Sequence, residues 1–166
     1  MVKQQKIFKR VQDITPEYIN QENIKGLLVD MDNTLLPWHE VKISDESRKW
    51  LDTMQNIGVK ICIITNSGIS RTSKVMENTD LDYIHTALKP FPFNFIKGRK
   101  KLGVKRKNVC VIGDQLLTDA LGSRIVGYKC IIVEPMSLKE QKGTYINRFL
   151  ERIIFGRDVR DTYNEK

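Results

Sequence analysis

The sequence predicts an α/β fold in three layers, built around a mostly parallel five-stranded sheet. Two observations carry that expectation. Short aliphatic and β-branched runs alternate with stretches of helical period, and run after run ends in small polar or acidic residues. Alternation of this kind gives parallel strands joined by right-handed crossovers, with ligands bound beyond the carboxyl ends of the strands. The 166 residues, 40% hydrophobic and 29% charged, suit a single domain with a core of its own.

Residues 1–23 form an N-terminal arm, basic at Lys3, Lys6, Lys9 and Arg10, with Ile7, Phe8, Val11 and Ile14 at roughly helical spacing. Thr15-Pro16-Glu17 then marks a helix start, with Thr15 as N-cap and proline at the first helical position. The core of the domain spans 24–133. Ile24 to Val29 is an apolar run suited to a central strand buried on both faces. Ser44 caps a helix through Trp50, Leu51 and Met54 to Gly58, where glycine suits a left-handed C-cap. Val59 to Ile64 is the second strand, and a helix through Val75 and Met76 follows Thr65-Asn66-Ser67-Gly68. Leu81 to Leu88 is a weaker extended segment closed by Lys89-Pro90, since proline holds the residue before it extended. A helix over Asn94 to Leu102 leads to the fourth strand, Asn108 to Ile112. A short helix near Leu116 to Gly122 leads to the fifth, Tyr128 to Val133. Residues 134–166 are a C-terminal extension.

Composition narrows the function classes. No run approaches the ~18–20 apolar residues of a membrane span, and no signal-peptide core opens the chain, so a cytoplasmic location is expected. Cys62, Cys110 and Cys130 each sit inside an aliphatic run without metal-ligand spacing, as buried thiols of a reducing compartment do. His39 and His85 are isolated, although His39 follows the first polar motif closely. A net charge of +8 points to anionic partners: phosphate esters, nucleic acid or an anionic membrane.

The candidate site comes from the strand ends. In chain order they carry Asp30, Asp32 and Thr34, then Thr65 and Asn66, then Lys89, then Asp114 and Asp119. Two carboxylates one residue apart repel unless a cation lies between them or one holds a proton. Turn propensity would account for any one of these groups. It does not account for four of them on one sheet edge combining carboxylates for a metal with hydroxyls and a lysine for phosphate oxygens.

These motifs resemble the haloacid dehalogenase (HAD) superfamily of phosphatases. Asp30-Met31-Asp32-Asn33-Thr34 is similar to its D-x-D-x-T motif, Thr65 to the second motif, Lys89 to the third, and Gly113-Asp114 with Asp119 to the fourth. The Asp-Met-Asp-Asn-Thr-Leu-Leu, Lys-Pro-Phe-Pro and Gly-Asp-Gln-Leu-Leu-Thr-Asp segments resemble most the YqeG-like branch of subclass IIIA, related to the mitochondrial phosphatidylglycerophosphate phosphatases. The resemblance implies a Rossmann-like HAD fold and a catalytic set of Asp30, Asp32, Thr65 and Lys89. Asp30 would be the nucleophile and Asp32 the general acid and base. Thr34, Asn66 and Lys89 would meet the substrate. Mg2+ would be held by Asp30, the backbone carbonyl of Asp32 and Asp114, with Asp119 as ligand or support.

The intervals from Thr34 to Thr65 and from Thr65 to Lys89 have no room for a large cap domain. An open site favours a substrate whose bulk stays outside, such as a lipid headgroup or a macromolecular phosphate. Lys97 to Lys107 holds seven cations and no acid, but it precedes the fourth strand and is read as a solvated face on the opposite sheet edge. Ile146, Phe149, Leu150, Ile153 and Ile154, with Arg148 and Arg152, form an amphipathic basic pattern. Packing on the sheet competes there with docking on the inner face of an anionic membrane.

The leading expectation is a magnesium-dependent phosphomonoesterase, with phosphatidylglycerophosphate as its substrate. Two alternatives stand beside it: a phosphatase of soluble sugar phosphates, nucleotides or polynucleotide ends, and a phosphate- or RNA-binding module without turnover. The oligomeric state is not legible.

Overall fold

A computed structural model of the chain describes residues 6–137. It contains β1 (Lys6–Phe8), α1 (Pro16–Gln21), β2 (Gly26–Val29), α2 (Asp45–Asn56), β3 (Lys60–Ile64) and α3 (Ile69–Met76). These are followed by β4 (Asp82–Ile84), α4 (Pro92–Leu102), β5 (Val109–Gly113), α5 (Leu121–Val126) and β6 (Lys129–Val133). The six strands form one sheet in the order β1-β6-β5-β2-β3-β4. Every ladder in it is parallel.

β2 is the centre, buried along its whole length. Its side chains alternate between two cores, as the period of a strand requires. Leu27 and Val29 join Trp50, Leu51, Met54, Val75 and Met76 on one face, while Leu28 joins Phe95, Leu102 and Val126 on the other. α1, α2 and α3 therefore cover one side of the sheet and α4 and α5 the other. Gly98 lets α4 lie close to the sheet, because a Cβ there would come within 2.7 Å of the Leu28 side chain.

The expected caps form. Thr15 Oγ1 accepts from Tyr18 N with Pro16 opening α1, and Ser44 Oγ accepts from Ser47 N at the start of α2. Gly58 is left-handed at φ 84°. Cys62 and Cys110 are buried and Cys130 half-buried, all three as free thiols. Burial pushes the Cys62 thiol up to about 12, and Asp82 adds to that.

The sheet departs from expectation at its edge. It has six strands rather than five, because Lys6–Phe8 pairs with β6 in the register Ile7 to Ile132. The helical spacing of Ile7, Phe8, Val11 and Ile14 was misleading: Val11 and Ile14 do enter the core, but from a short 3-10 turn and the residue after it. Three residues carry too little pattern to announce a strand, and β6 supplies the pairing that makes one. The arm is thus part of the sheet. Two other boundaries shift. Only Asp82–Ile84 of the Leu81 to Leu88 segment is strand. The turn after β5 is a π-helical turn, Leu116–Ala120, that passes directly into α5. The C-terminal amphipathic pattern at 146–154 lies outside the described residues. No helix among the described residues is long and apolar enough to cross a membrane.

Candidate active site

β2 and β5 are neighbours whose onward connections run in opposite directions, β2 to β3 and β5 to β6. A crevice opens at the carboxyl ends of such a pair. Pairing of Val29 with Ile112 sets Asp30 beside Gly113, so the first and fourth motifs meet there. Asp30 N also donates to Ile112 O at 2.8 Å, extending the ladder by one bond and fixing where the carboxylate begins.

Asp30, Asp114 and Asp119 come together in the buried interior of this edge, with ligand atoms all within 4.8 Å of one another. Gly113 makes that closeness available: a Cβ there would lie 2.2 Å from the Asp119 carboxyl carbon. Asp119 is further held through Oδ2 by Gln115 N, from the residue that caps the π-helical turn, and by Thr118 Oγ1 within it. Lys89 Nζ donates to Asp30 Oδ1 and to Asp119 Oδ1, each at 2.7 Å. Burial alone would push this lysine down, but Asp119 and Asp30 more than offset that and hold it above its ordinary value. Burial pushes Asp30 up to about 7, although the Lys89 ammonium pulls it back, and Asp119 and Asp32 reinforce the rise.

Among the described residues, the Lys89 ammonium meets two of the three carboxylates, Asp30 and Asp119. The donor set of the cluster is all oxygen, so the residues fit a hard divalent cation such as Mg2+. The carboxylate of Asp32 is not in the cluster, and only its backbone carbonyl is available for the metal role expected of it.

Asp32 faces the other wall. Its Oδ2 accepts from Ser67 Oγ at 2.6 Å and Thr65 Oγ1 at 3.4 Å, while its Oδ1 accepts from Arg71 Nε at 2.9 Å and Nη2 at 2.6 Å. The two motif aspartates therefore occupy different environments, one under a lysine and one under an arginine. Thr34 Oγ1 donates to Asp30 Oδ2 at 3.2 Å. The Asn66 amide clamps the Lys89 backbone, accepting from its N at 2.8 Å and donating to its O. Thr34 and Asn66, expected at the substrate, are placed here against the Asp30 carboxylate and the Lys89 backbone, and of the two only Asn66 lines the cleft.

Asp30, Asp32, Thr65, Asn66 and Lys89 line a cleft of about 90 Å³, together with Asn33, Trp38, Ser67, Gln115 and Thr118, while Thr34, Asp114 and Asp119 lie behind its wall. That volume is far below the ~300–1,000 Å³ of sites that enclose a small molecule. A cleft of that size has room for a small group only, and no large cap covers it among the described residues. His39 is exposed, stacks edge-on to Trp38 and does not line the cleft.

Ser67, Arg71 and Trp38 escaped sequence reasoning. Ser67 and Arg71 sit two and six residues past Thr65, and only the turn into α3 brings them to Asp32. The indole Nε1 of Trp38 is buried without a partner among the described residues. Trp38 itself lines the cleft.

An α/β sheet with this strand order and these four motifs on one edge is the architecture of a HAD-superfamily phosphatase. Within that class the chain belongs to the mitochondrial PGP phosphatase family, whose model matches residues 3–137. It is 34% identical over 146 residues to the probable phosphatase YqeG of Bacillus subtilis (strain 168), covering 88% of this chain and 85% of the relative. Among solved structures, CbbY of Rhodobacter sphaeroides, in complex with xylulose-1,5-bisphosphate, superposes with a TM-score of 0.57 at 10% identity, over 71% of this chain and 90% of CbbY. An uncharacterised protein of Listeria monocytogenes serotype 4b gives a TM-score of 0.55 at 17% identity, over 72% and 84%. At those identities the structural likenesses establish the fold alone.

Proposed function

We propose that this phosphatase hydrolyses phosphate monoesters through an aspartyl-phosphate at Asp30, with Mg2+, and that its substrate is phosphatidylglycerophosphate. The observation that carries the mechanism is the division of labour between Asp30 and Asp32. Asp30 is buried under Lys89 within the acidic cluster, and Asp32 lies across the cleft among hydroxyls and a guanidinium. A bound Mg2+ would draw charge from the phosphoryl oxygens.

The chain's own residues do the rest. An Asp30 carboxylate oxygen attacks phosphorus, the ester P–O bond breaks, and the departing alkoxide takes a proton from Asp32. Asp32 then accepts a proton from water as the water oxygen attacks the acyl phosphate. Inorganic phosphate leaves and Asp30 is restored. Lys89 neutralises charge on Asp30 and on the phosphoryl group, and Thr65 and Trp38 supply donors at the cleft wall.

Arg71 acts as a positioning residue in this scheme, holding Asp32 through two guanidinium contacts. Arg71→Ala is expected to lower kcat by ~10- to 100-fold with KM little changed, since small misplacements of a reacting group cost that much. Arg71→Lys should recover only part of the loss, because one ammonium does not reproduce the two-pronged contact. A KM rise at unchanged kcat would assign Arg71 to substrate binding instead.

The substrate assignment rests on the family and on the shallow cleft, which leaves most of a substrate outside. The test is phosphate release with Mg2+ from an aryl phosphate, vesicle-borne phosphatidylglycerophosphate, and a panel of soluble sugar phosphates and nucleotides. The expected result is a kcat/KM for the lipid at least ~10-fold above any soluble ester, a margin of about 1.4 kcal/mol in the transition state. Equal or better turnover of a soluble ester would move the substrate to that class. Chelation of Mg2+ should abolish release from every substrate. Anionic lipid recognition also implies contact with the membrane surface, which the net charge of +8 supports.

A further inference from the structure

The loop that carries Lys89 has two sides. Ala87 is fully buried and Lys89 is 7% exposed, yet Leu88 between them is 62% exposed, and Phe91 and Phe93 are 62% and 76% exposed. The backbone imposes this alternation. Thr86 and Leu88 both adopt left-handed φ, 47° and 52°, a region that disfavours bulky side chains. Hydrogen bonds from Thr86 N to Ser67 O, Ala87 N to Thr65 O, Lys89 N to Asn66 Oδ1 and Phe91 N to Leu88 O hold the loop there. Lys89 is turned into the cleft, and large apolar side chains one, two and four residues from it are turned out to solvent.

Charge continues the same face. Phe93, Ile96, Lys97 and Lys100 recur at i, i+3, i+4 and i+7 on the exposed side of α4, while Phe95, Gly98 and Leu102 face the core. α4 begins at the catalytic edge and runs away from it, so Lys97 lies ~6 Å along the axis behind Phe93. This corrects the reading of Lys97 to Lys107 as wholly on the far edge: the run begins within about one turn of Phe93. Apolar tips at a rim with cations one turn behind match an anionic lipid surface, whose acyl boundary lies beneath a layer of phosphates.

We infer that Leu88, Phe91 and Phe93 form a membrane-docking rim that seats the open cleft on an anionic lipid surface, with Lys97 and Lys100 meeting the headgroups. The inference rests on the lipid-substrate reading and adds the surface by which the enzyme reaches it. A second copy of the chain seated on this rim would cover the mouth that substrate must enter. A lipid surface delivers substrate to it.

The experiment is co-sedimentation of the full chain with vesicles of phosphatidylglycerol and phosphatidylcholine, alongside soluble aryl phosphate turnover. Phe91→Ser/Phe93→Ser is expected to weaken vesicle binding at least ~10-fold, as loss of two inserting aromatic rings implies, with aryl phosphate turnover unchanged. Lys97→Glu/Lys100→Glu should weaken it at least ~10-fold through charge alone, with vesicles of phosphatidylcholine alone binding poorly throughout. This second variant leaves the loop intact, so it decides the question if the serine pair misfolds. Vesicle binding by both variants equal to the parent's would overturn the inference. So would a parent protein that ignores anionic vesicles, or a parent dimer that the serine pair converts to monomer. If the parent and variants separate on vesicles while no lipid phosphate is hydrolysed, the docking rim stands and the substrate assignment falls. If the parent binds vesicles but releases no phosphate from any ester, the rim again stands and the phosphatase mechanism falls.

Discussion

An Asp30→Asn variant is expected to release phosphate from an aryl phosphate at least ~10⁴-fold more slowly than the parent in the same magnesium buffer. The amide keeps the shape of the side chain but is a far poorer nucleophile, so no aspartyl-phosphate forms and acid-quench trapping should find none. Residual turnover above that level would remove Asp30 from the nucleophile's place. The variant should nonetheless fold, because Lys89 keeps its contact with Asp119 at 2.7 Å. Stability should move against activity. Burial raises Asp30 to about 7, above the ~3.9 of an aspartate in an unfolded chain. The metal-free folded state therefore holds that proton more tightly than the unfolded state does. It loses stability relative to the unfolded state as pH rises from about 4 to about 7, and asparagine has no such proton to lose. Denaturant unfolding in chelator should show the parent losing more stability than Asp30→Asn across that interval. Parallel pH profiles would contradict the assignment of burial as the dominant influence on Asp30.

Lys89→Ala is expected to produce the largest loss of stability. It removes the ammonium that pairs with both Asp30 and Asp119 and leaves those two buried carboxylates without it. Breaking a buried ion pair from one side costs ~3–5 kcal/mol. For a chain of this length that corresponds to roughly 6–20 °C in Tm. Because the surviving cluster is all oxygen and more negative than before, Mg2+ should raise the Tm of the variant more than that of the parent. A thermal shift that Mg2+ fails to recover in part would mean that the cation does not bind among Asp30, Asp114 and Asp119. Turnover should fall by at least ~10²-fold even with Mg2+ present, through loss of a fixed positive charge beside the transferring phosphoryl.

Both predictions depend on contacts between residues far apart in the chain, and this separates what was legible in the sequence from what was not. Alternation of apolar runs with helical periods announced a parallel sheet, since strand and helix leave different periods in the chain. The ends of those runs announced Asp30, Asp32, Thr65, Lys89 and Asp114 as a set, since polar residues directly after a buried strand have nowhere to go but its edge. The capping residues Thr15 and Ser44 were equally plain, because a cap is a local contract between residues three apart.

The sixth strand was not plain. Lys6–Phe8 has no pattern of its own beyond three residues, and it is a strand only because β6 offers an unpaired edge. Arg71 was not plain either. A lone arginine early in a helix is ordinary surface chemistry until the turn from Thr65 to Gly68 swings that helix onto Asp32. The same holds for the outward Leu88, Phe91 and Phe93, which in sequence could as well have packed inward. The direction of Leu88 follows from the left-handed backbone at Thr86 and Leu88 and from bonds to the β3 loop, and that of Phe93 from its place on the exposed side of α4.

By itself, then, the sequence determined the fold class, the edge at which the candidate site sits and the residue types gathered there, because these depend on local periodicity and on where buried runs end. The tertiary structure alone decided which carboxylates share a lysine, which one takes an arginine, and which apolar groups face outward at the mouth. Those are pairings across the sheet, and side-chain partners brought together by strand order leave no periodic trace in the chain.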